Sequence, residues 1–264
     1  MIKSQIQWTD ATVNFWTGCM KVSCGCKFCY MYRDKERYGK SPTDVQRTSD
    51  GTFYAALKWK DPRKIFTCSW SDFFIDQADA WRADAYHVIR QTPQHQWQIL
   101  TKRPERISQS LPPDWGDGWD HVWLGVSVET QDYLHRMVTL SEIPAKIRFI
   151  SFEPLLGPID LSGSAELLKN FHWAIIGGES GNENGKYRYR PCEIEWIEQI
   201  IADIQRYAPH CKIFVKQLGT YLHHQYDLSD RHGGEMSEWP TTHDHIKMRE
   251  FPVRQGILSD IINC

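Results

Sequence analysis

Seven short apolar segments, separated by polar stretches with helical spacing, constrain the fold of this chain more than any other feature. They are rich in β-branched and aromatic residues, and several are apolar at nearly every position. This pattern is typical of strands covered on both faces, as in a parallel sheet under helices. The predicted strands are 11–16, 64–70, 96–100, 121–128, 146–152, 173–176 and 211–215.

Helical patterns occupy the stretches between these strands. The predicted helices are 30–38, 79–90, 130–140 and 192–207. In the last of them isoleucines recur at helical spacing, and Pro191 suits the first turn. Alternating strands and helices predict right-handed βα units and an α/β fold. We expect a complete or partial β/α (TIM-like) barrel of about six to seven parallel strands, with an open doubly wound sheet as the alternative.

Composition and length fit one domain. The chain has 264 residues, of which 41% are hydrophobic, and it shows no interdomain linker or repeat. Residues 219–264, which contain Gly233-Gly234, Trp239-Pro240 and five histidines, are predicted to form an irregular C-terminal cap. No apolar run reaches the roughly 20 residues of a membrane span, and no secretory signal opens the chain, so we expect a cytoplasmic protein without membrane contact. A net charge of -2 excludes nucleic-acid attraction by overall charge but leaves room for a local basic groove.

Half of the eight cysteines cluster between the first predicted strand and a predicted helix. They are Cys19, Cys24, Cys26 and Cys29. In a reducing compartment such a cluster favours metal binding over disulfides. Four thiolates would close a zinc site or an iron–sulfur cluster, whereas three would leave one iron of a [4Fe–4S] cluster open to a substrate or cofactor. The residues alone leave both possibilities open.

The segment 26–30, with its aromatic Tyr30 after the last cysteine, resembles the second half of the radical SAM motif C-x3-C-x2-C. Cys19 and Cys26 have the longer spacing C-x6-C. That spacing is similar to a phage-associated three-cysteine family with the core W-T-D-A-T-x-N followed by T-G-C-x-K-V-S-x-G-C-x-x-C-Y. Residues 8–14 and 17–30 match this core. Five later blocks match in the same order, at 100–106, 123–129, 152–158, 176–181 and 215–219.

The resemblance implies a radical SAM enzyme. Cys19, Cys26 and Cys29 would hold a [4Fe–4S] cluster whose fourth iron chelates S-adenosylmethionine (SAM), and Cys24 would be an extra cysteine where the family often has proline. One electron from a flavodoxin- or ferredoxin-type donor would cleave SAM to methionine and a 5′-deoxyadenosyl radical, which abstracts hydrogen from the substrate. Phage association and the stretch 186–190, which interleaves bases with aromatics, favour a nucleotide or nucleic-acid substrate. An ordinary exposed loop is the alternative for that stretch.

Polar residues follow the predicted strands, where a β/α barrel collects its chemistry. Spore photoproduct lyases, which are radical SAM DNA-repair enzymes, supply a fold-level analogy for their roles. The predicted SAM contacts are Ser69, Ser71 and Asp72 for the ammonium, Lys102 for the carboxylate, Ser127 and Glu129 for the ribose, and Phe28 or Tyr30 for the adenine. The candidate catalytic residues are Cys68 as a hydrogen-atom relay, Glu153 and Glu179. Helix capping or ion pairing is the structural alternative for the two glutamates.

A second function stays open. If Cys24 were a fourth ligand, the site would be closed and the chain would be a zinc-stabilised nucleic-acid-binding module without redox chemistry.

Overall fold

Nine strands form one seven-stranded sheet and one small two-stranded ladder in the computed structural model, which describes residues 4–253. The strands are β1 Ala11–Thr12, β2 Trp16–Thr17, β3 Gln46–Arg47, β4 Lys64–Thr67, β5 Gln96–Thr101, β6 Val122–Ser127, β7 Ile147–Leu155, β8 Trp173–Gly178 and β9 Lys212–Gln217. The large sheet has the order β1-β4-β5-β6-β7-β8-β9, and every neighbouring pair is parallel.

This order confirms the partial β/α barrel. The sheet curls into a half-barrel. Apart from β2 and β3, which form the small ladder, each strand lies beside the next one in the chain, so the strand order never reverses. A doubly wound sheet requires such a reversal at its switch point. The alternative of an open doubly wound sheet is therefore wrong.

Eight helices within residues 4–253 connect or flank these strands. They are α1 Tyr30–Arg37, α2 Asp50–Phe53, α3 Asp79–Arg90, α4 Ile107–Ser110, α5 His135–Ser141, α6 Ala165–Leu168, α7 Ile194–Tyr207 and α8 Gly219–Gln225. The prediction for α3 has the observed bounds, and those for α1 and α7 differ at one end. The predicted helix 130–140 is wrong in its first part, since a 3₁₀ turn at Gln131–Tyr133 precedes α5.

The first predicted strand is also corrected. Only Ala11–Thr12 joins the large sheet, whereas Trp16–Thr17 pairs antiparallel with Gln46–Arg47. Trp16 is buried all the same, and its indole nitrogen donates to the Asp72 carbonyl at 3.0 Å. Both segments contain buried apolar side chains, so the sequence 11–16 resembles one continuous strand. An apolar pattern indicates burial but does not reveal which strand a segment pairs with.

Two apolar clusters cover the two faces of the sheet. The larger one includes residues of α3, α5 and α7 and therefore marks the convex face beneath the helices. The smaller one contains strand residues and Trp8 but no helical side chain, so it marks the concave face. Its aromatic members form a floor inside the half-barrel: Trp8, Phe66, Trp123, Phe149, Trp173 and Phe214.

Trp173 lies at the centre of this aromatic floor. It is fully buried, contacts the rings of Trp8 and Trp123, and donates to the Glu250 carbonyl at 2.9 Å. Trp173→Ala should lower the free energy of unfolding by about 3–5 kcal/mol, because it empties a packed interior position. Denaturant unfolding measures the loss. Val138→Ala, at a half-exposed position of α5, is the control and should change stability by less than about 0.5 kcal/mol. Equal losses in the two variants would contradict the packing argument.

The predicted cap folds more regularly than expected. After β9 the chain forms α8 and two 3₁₀ helices, Met236–Glu238 and Thr241–Ile246, and Arg249 then bridges back to Phe214. Residues 254–264 of the predicted cap lie outside the described residues. Among residues 4–253, no helix has the length and apolar character needed to cross a membrane.

Candidate functional site

Small and polar side chains replace the aromatic floor at the carboxyl ends of the strands. Side chains two residues apart on a strand share a face. Gly125 and Ser127 therefore follow Trp123 on the concave face, as Ser151 follows Phe149 and Lys216 follows Phe214. We call this end of the concave face the mouth.

One ion pair crosses the mouth. Glu153 of β7 pairs with Lys216 of β9, and both side chains are about one-fifth exposed. Gly177 of the intervening strand β8 leaves room for the pair, since a Cβ there would lie 3.4 Å from Glu153 Cδ. Glu153 therefore lies at the mouth with an amine as its partner, and this ion pair is the structural alternative given above for Glu153.

The loop that bears the cysteines, residues 17–29 (the cysteine loop), is tied to the neighbouring segments through its backbone. The Gly18 N–H donates to the Trp70 carbonyl at 2.9 Å, and the Ser71 hydroxyl donates to the Gly18 carbonyl at 2.5 Å. The Cys19 N–H donates to Pro42 at 2.9 Å, while the Tyr32 hydroxyl donates to the Cys19 carbonyl at 2.6 Å. These four hydrogen bonds fix the backbone at the start of the cysteine loop.

Gly18 is required by this path. Its φ of +96° favours glycine, and a Cβ would lie 2.2 Å from the Asp44 carbonyl oxygen. We expect Gly18→Ala to cost more than about 1 kcal/mol in the free energy of unfolding. Gly51→Ala is the matched control, because a Cβ at Gly51 meets nothing within 4 Å and should leave stability unchanged or slightly higher. Thermal unfolding of both variants tests this; equal midpoints would contradict the proposed backbone path.

The four cysteines of the loop differ in exposure. Cys19, Cys26 and Cys29 are half-buried, and Cys24 is exposed. Burial foremost raises the pKa of Cys19 to about 12 and also raises that of Cys29, and a negative charge on Cys26 raises both further. The Cys26 sulfur therefore lies close enough to those of Cys19 and Cys29 to influence both electrostatically.

The backbone of Cys24 is fixed although its side chain is exposed. Its N–H donates to the Tyr133 hydroxyl at 3.3 Å, and its carbonyl accepts from Arg190 at 3.0 Å. Within residues 4–253, no three His, Cys, Asp or Glu side chains converge tightly enough to bind one metal ion. A [4Fe–4S] cluster makes a different demand, because each thiolate binds its own iron. As soft donors from one loop, Cys19, Cys26 and Cys29 fit such a cluster.

Asp72 and Arg103 form a buried pair beside the cysteine loop, 3.1 Å apart. Asp72 also accepts from the Thr101 hydroxyl at 2.7 Å and from the N–H groups of Phe74 and Lys102, each at 2.9 Å. Asp72 was predicted to bind the SAM ammonium, but its carboxylate already accepts from four donors of this chain.

Lys102 and Glu129, predicted to bind different ends of SAM, contact each other. The Lys102 ammonium lies 2.7 Å from Glu129, which also accepts from Arg136 at 2.8 Å and from the Ser23 hydroxyl at 2.6 Å. The Glu129 side chain is fully buried. Burial alone would raise the pKa of Glu129, but the charges of Lys102 and Arg136 lower it overall. A buried carboxylate thus joins the cysteine loop to the end of β6.

The predicted adenine and ammonium contacts lie around the same loop. The Tyr30 hydroxyl donates to the Ser69 carbonyl at 2.5 Å, and the Ser69 side chain lies 3.1 Å from the Asn14 amide nitrogen. Phe28 is half-buried, with the Arg190 guanidinium 5.3 Å from its ring centroid. Tyr30 and Ser69 are therefore brought together at the edge of the mouth.

Two predicted catalytic residues, Cys68 and Glu179, are buried. Cys68 is 2% exposed, belongs to the convex-face core and contacts the Thr67 hydroxyl at 3.1 Å. Glu179 accepts three bonds from Arg190, from its backbone N–H at 2.9 Å and its guanidinium at 2.8 and 2.5 Å. Arg190 also donates to the Cys24 carbonyl, so Glu179 supports the cysteine loop indirectly, through Arg190.

The stretch 186–190 has no helix or strand. Lys186 forms an ion pair with Glu36 at 2.7 Å, and Arg190 forms one with Glu179. Tyr187 between them is buried. This arrangement matches the exposed-loop alternative more closely than a free basic and aromatic surface.

Sequence reasoning missed Arg136 and Asn14 as parts of this site, and it assigned Arg190 to a substrate-contacting stretch and not to Glu179 and the Cys24 carbonyl. Asn14 accepts from the Trp70 N–H at 2.7 Å, and it stands in the matched segment 8–14, which was a usable signal. Arg136 lies in a helical pattern with nothing to distinguish it from a surface cation. Its role depends on a carboxylate contact that only the fold reveals.

The fold is similar to that of spore photoproduct lyase. A cysteine-to-serine mutant of that enzyme is 13% identical and aligns over 80% of this chain and 78% of its own, with a TM-score of 0.57. A double mutant "with bound AdoMet and dinucleoside spore photoproduct" is 12% identical over 82% and 78% of the two chains, with a TM-score of 0.53. At these identities the likeness shows a shared fold.

Sequence comparison gives a family. None of the curated proteins matches the chain. The sequence model of the family described as "Protein of unknown function (DUF5131)" matches residues 3–250 and so spans the cysteine loop, every strand and the mouth. The chain therefore belongs to the DUF5131 family.

Proposed function

We propose that this protein is a radical SAM enzyme. The observation that supports this most strongly is the position of three half-buried cysteines, on one loop beside the mouth of a half-barrel. A spore photoproduct lyase structure with the same fold contains AdoMet. Cys19, Cys26 and Cys29 would hold the [4Fe–4S] cluster, and Cys24 would remain exposed beside it.

The mouth offers groups for each part of SAM. Lys102 would bind the carboxylate, and Glu129 with Ser127 would bind ribose hydroxyls. Phe28 or Tyr30 would contact the adenine, and Ser69 and Ser71 the ammonium, with Asp72 fixing the backbone that presents them. Bound there, the cluster and SAM supply one-electron cleavage of SAM and hydrogen-atom abstraction. The remaining task of the chain is to orient these groups and exclude water.

A nucleotide or nucleic acid is the proposed substrate class. One spore photoproduct lyase structure is described as complexed with a dinucleoside spore photoproduct, which supports a base-containing substrate for this fold. The Glu153–Lys216 pair offers a donor and an acceptor inside the mouth, as base edges require. A flavodoxin- or ferredoxin-type protein is the proposed electron donor. Cys68 remains the candidate to test for hydrogen-atom return, and Glu153 and Glu179 remain candidate catalytic residues.

Metal analysis tests the proposal against a zinc-stabilised module. The protein is purified and reconstituted without oxygen, and iron, sulfide and zinc are measured per chain. We expect about four irons and four sulfides, as a [4Fe–4S] cluster requires. One zinc per chain without sulfide would contradict the proposal and favour the nucleic-acid-binding module.

A further inference from the structure

Arg103 contacts the cysteine loop through two nitrogens of its guanidinium group. Nη1 lies 3.8 Å from the Cys19 sulfur, and Nη2 donates to the Met20 carbonyl at 2.7 Å. The residue is 6% exposed, so water competes little for either contact. The planar fork of arginine suits this double contact, which a lysine ammonium cannot reproduce.

The guanidinium is itself held in place. Asp72 lies 3.1 Å from Nη1, and the Thr101 hydroxyl and the Lys102 N–H both donate to the same carboxylate. Thr101, Lys102 and Arg103 follow one another at the end of β5, so the strand end fixes both the arginine and its counter-ion. The Arg103 cation is therefore held at a defined distance from the Cys19 sulfur.

We infer that Arg103 is a positioning residue that raises the reduction potential of the cluster ligated by Cys19. The inference rests on the proposed function. Hydrogen bonds to the sulfurs and the local charge set the potentials of iron–sulfur clusters. Reduction adds one electron and makes or breaks no bond, so a cation beside a ligating sulfur stabilises the reduced form more than the oxidised one. Asp72 has the opposite sign and offsets part of this effect.

Four variants of the full chain, reconstituted without oxygen, test the inference. Arg103→Met removes the charge at similar length, Arg103→Lys keeps the charge without the fork, and Asp72→Asn removes the counter-charge. Arg106→Met is the matched control, because Arg106 lies in the same segment but donates to Phe74 and Asp79 instead. The readout is the midpoint potential of the cluster, titrated with dithionite and followed by electron paramagnetic resonance, alongside iron content.

Arg103→Met should shift the potential to more negative values, Asp72→Asn to less negative values, and Arg106→Met not at all. Arg103→Lys should lie between wild type and Arg103→Met, which keeps the test informative if the methionine variant folds poorly. Mere damage to the loop would not produce shifts of opposite sign. Equal potentials in Arg103→Met, Arg103→Lys and Arg106→Met, at equal iron content, would overturn the inference and leave the proposed function standing. A wild-type protein that takes up no iron and sulfide would overturn both.

Discussion

Replacing Cys26 with alanine should abolish iron binding, whereas replacing Cys24 should leave it unchanged. Loss of a hydrogen-bond partner of a metal ligand already costs about 10–100-fold in affinity, so loss of a ligand should cost more. Cys19→Ala and Cys29→Ala should behave like Cys26→Ala. The difference follows from exposure, because Cys24 is the exposed cysteine of the loop and the other three cysteines are half-buried. Iron and sulfide per chain after anaerobic reconstitution are the measurement.

Cys192→Ala controls for the loss of a thiol elsewhere, since Cys192 lies buried in the convex-face core. It should retain iron. If Cys24→Ala alone removed the cluster, the site would have four ligands and would be closed to SAM. If the three ligand variants kept their iron, the cysteine loop would not be the metal site.

The second large effect is expected at Glu129. Its fully buried carboxylate lies between Lys102 and Arg136, so Glu129→Ala leaves two cations without their counter-ion. Breaking a buried ion pair by removing one partner costs about 3–5 kcal/mol. Denaturant unfolding of the metal-free protein should show a loss of this size, without any contribution from SAM.

Two further variants sharpen the result. Glu129→Gln keeps an acceptor of the same shape and should lose less stability than Glu129→Ala. Glu166→Ala removes an exposed carboxylate paired with Lys169 and should change stability by less than about 0.5 kcal/mol. Unchanged stability in Glu129→Ala, with weaker SAM binding alone, would mean that Glu129 serves the ligand and does not hold the loop.

The sequence predicted the sheet because each strand has its own local pattern. Residues 173–176 are continuously apolar and residues 96–100 are apolar at three of five positions, and the structure extends β8 and β5 by only one or two residues beyond these segments. The prediction failed where two adjacent apolar pieces pair with different partners, as at Ala11–Thr12 and Trp16–Thr17. Pairing is a long-range property, so local periodicity does not determine it.

The candidate site shows the same limit. The sequence located the cysteine loop and the polar strand ends, since both are local features. It did not reveal that Ser23 contacts Glu129, 106 residues away, or that Arg103 contacts Cys19, 84 residues away. Because of such contacts, several residues that were predicted to bind SAM also stabilise the cysteine loop. Asp72 illustrates this best, because its four donors all come from the chain itself.

Formation of 5′-deoxyadenosine from SAM tests the central claim most directly. Reconstituted protein is reduced with dithionite in the presence of SAM, and 5′-deoxyadenosine and methionine are quantified by chromatography beside Cys26→Ala and Cys24→Ala. We predict that wild type and Cys24→Ala form both products in equal amounts and that Cys26→Ala forms neither. A wild-type protein that holds a full cluster but forms no 5′-deoxyadenosine would contradict the assignment of this protein as a radical SAM enzyme.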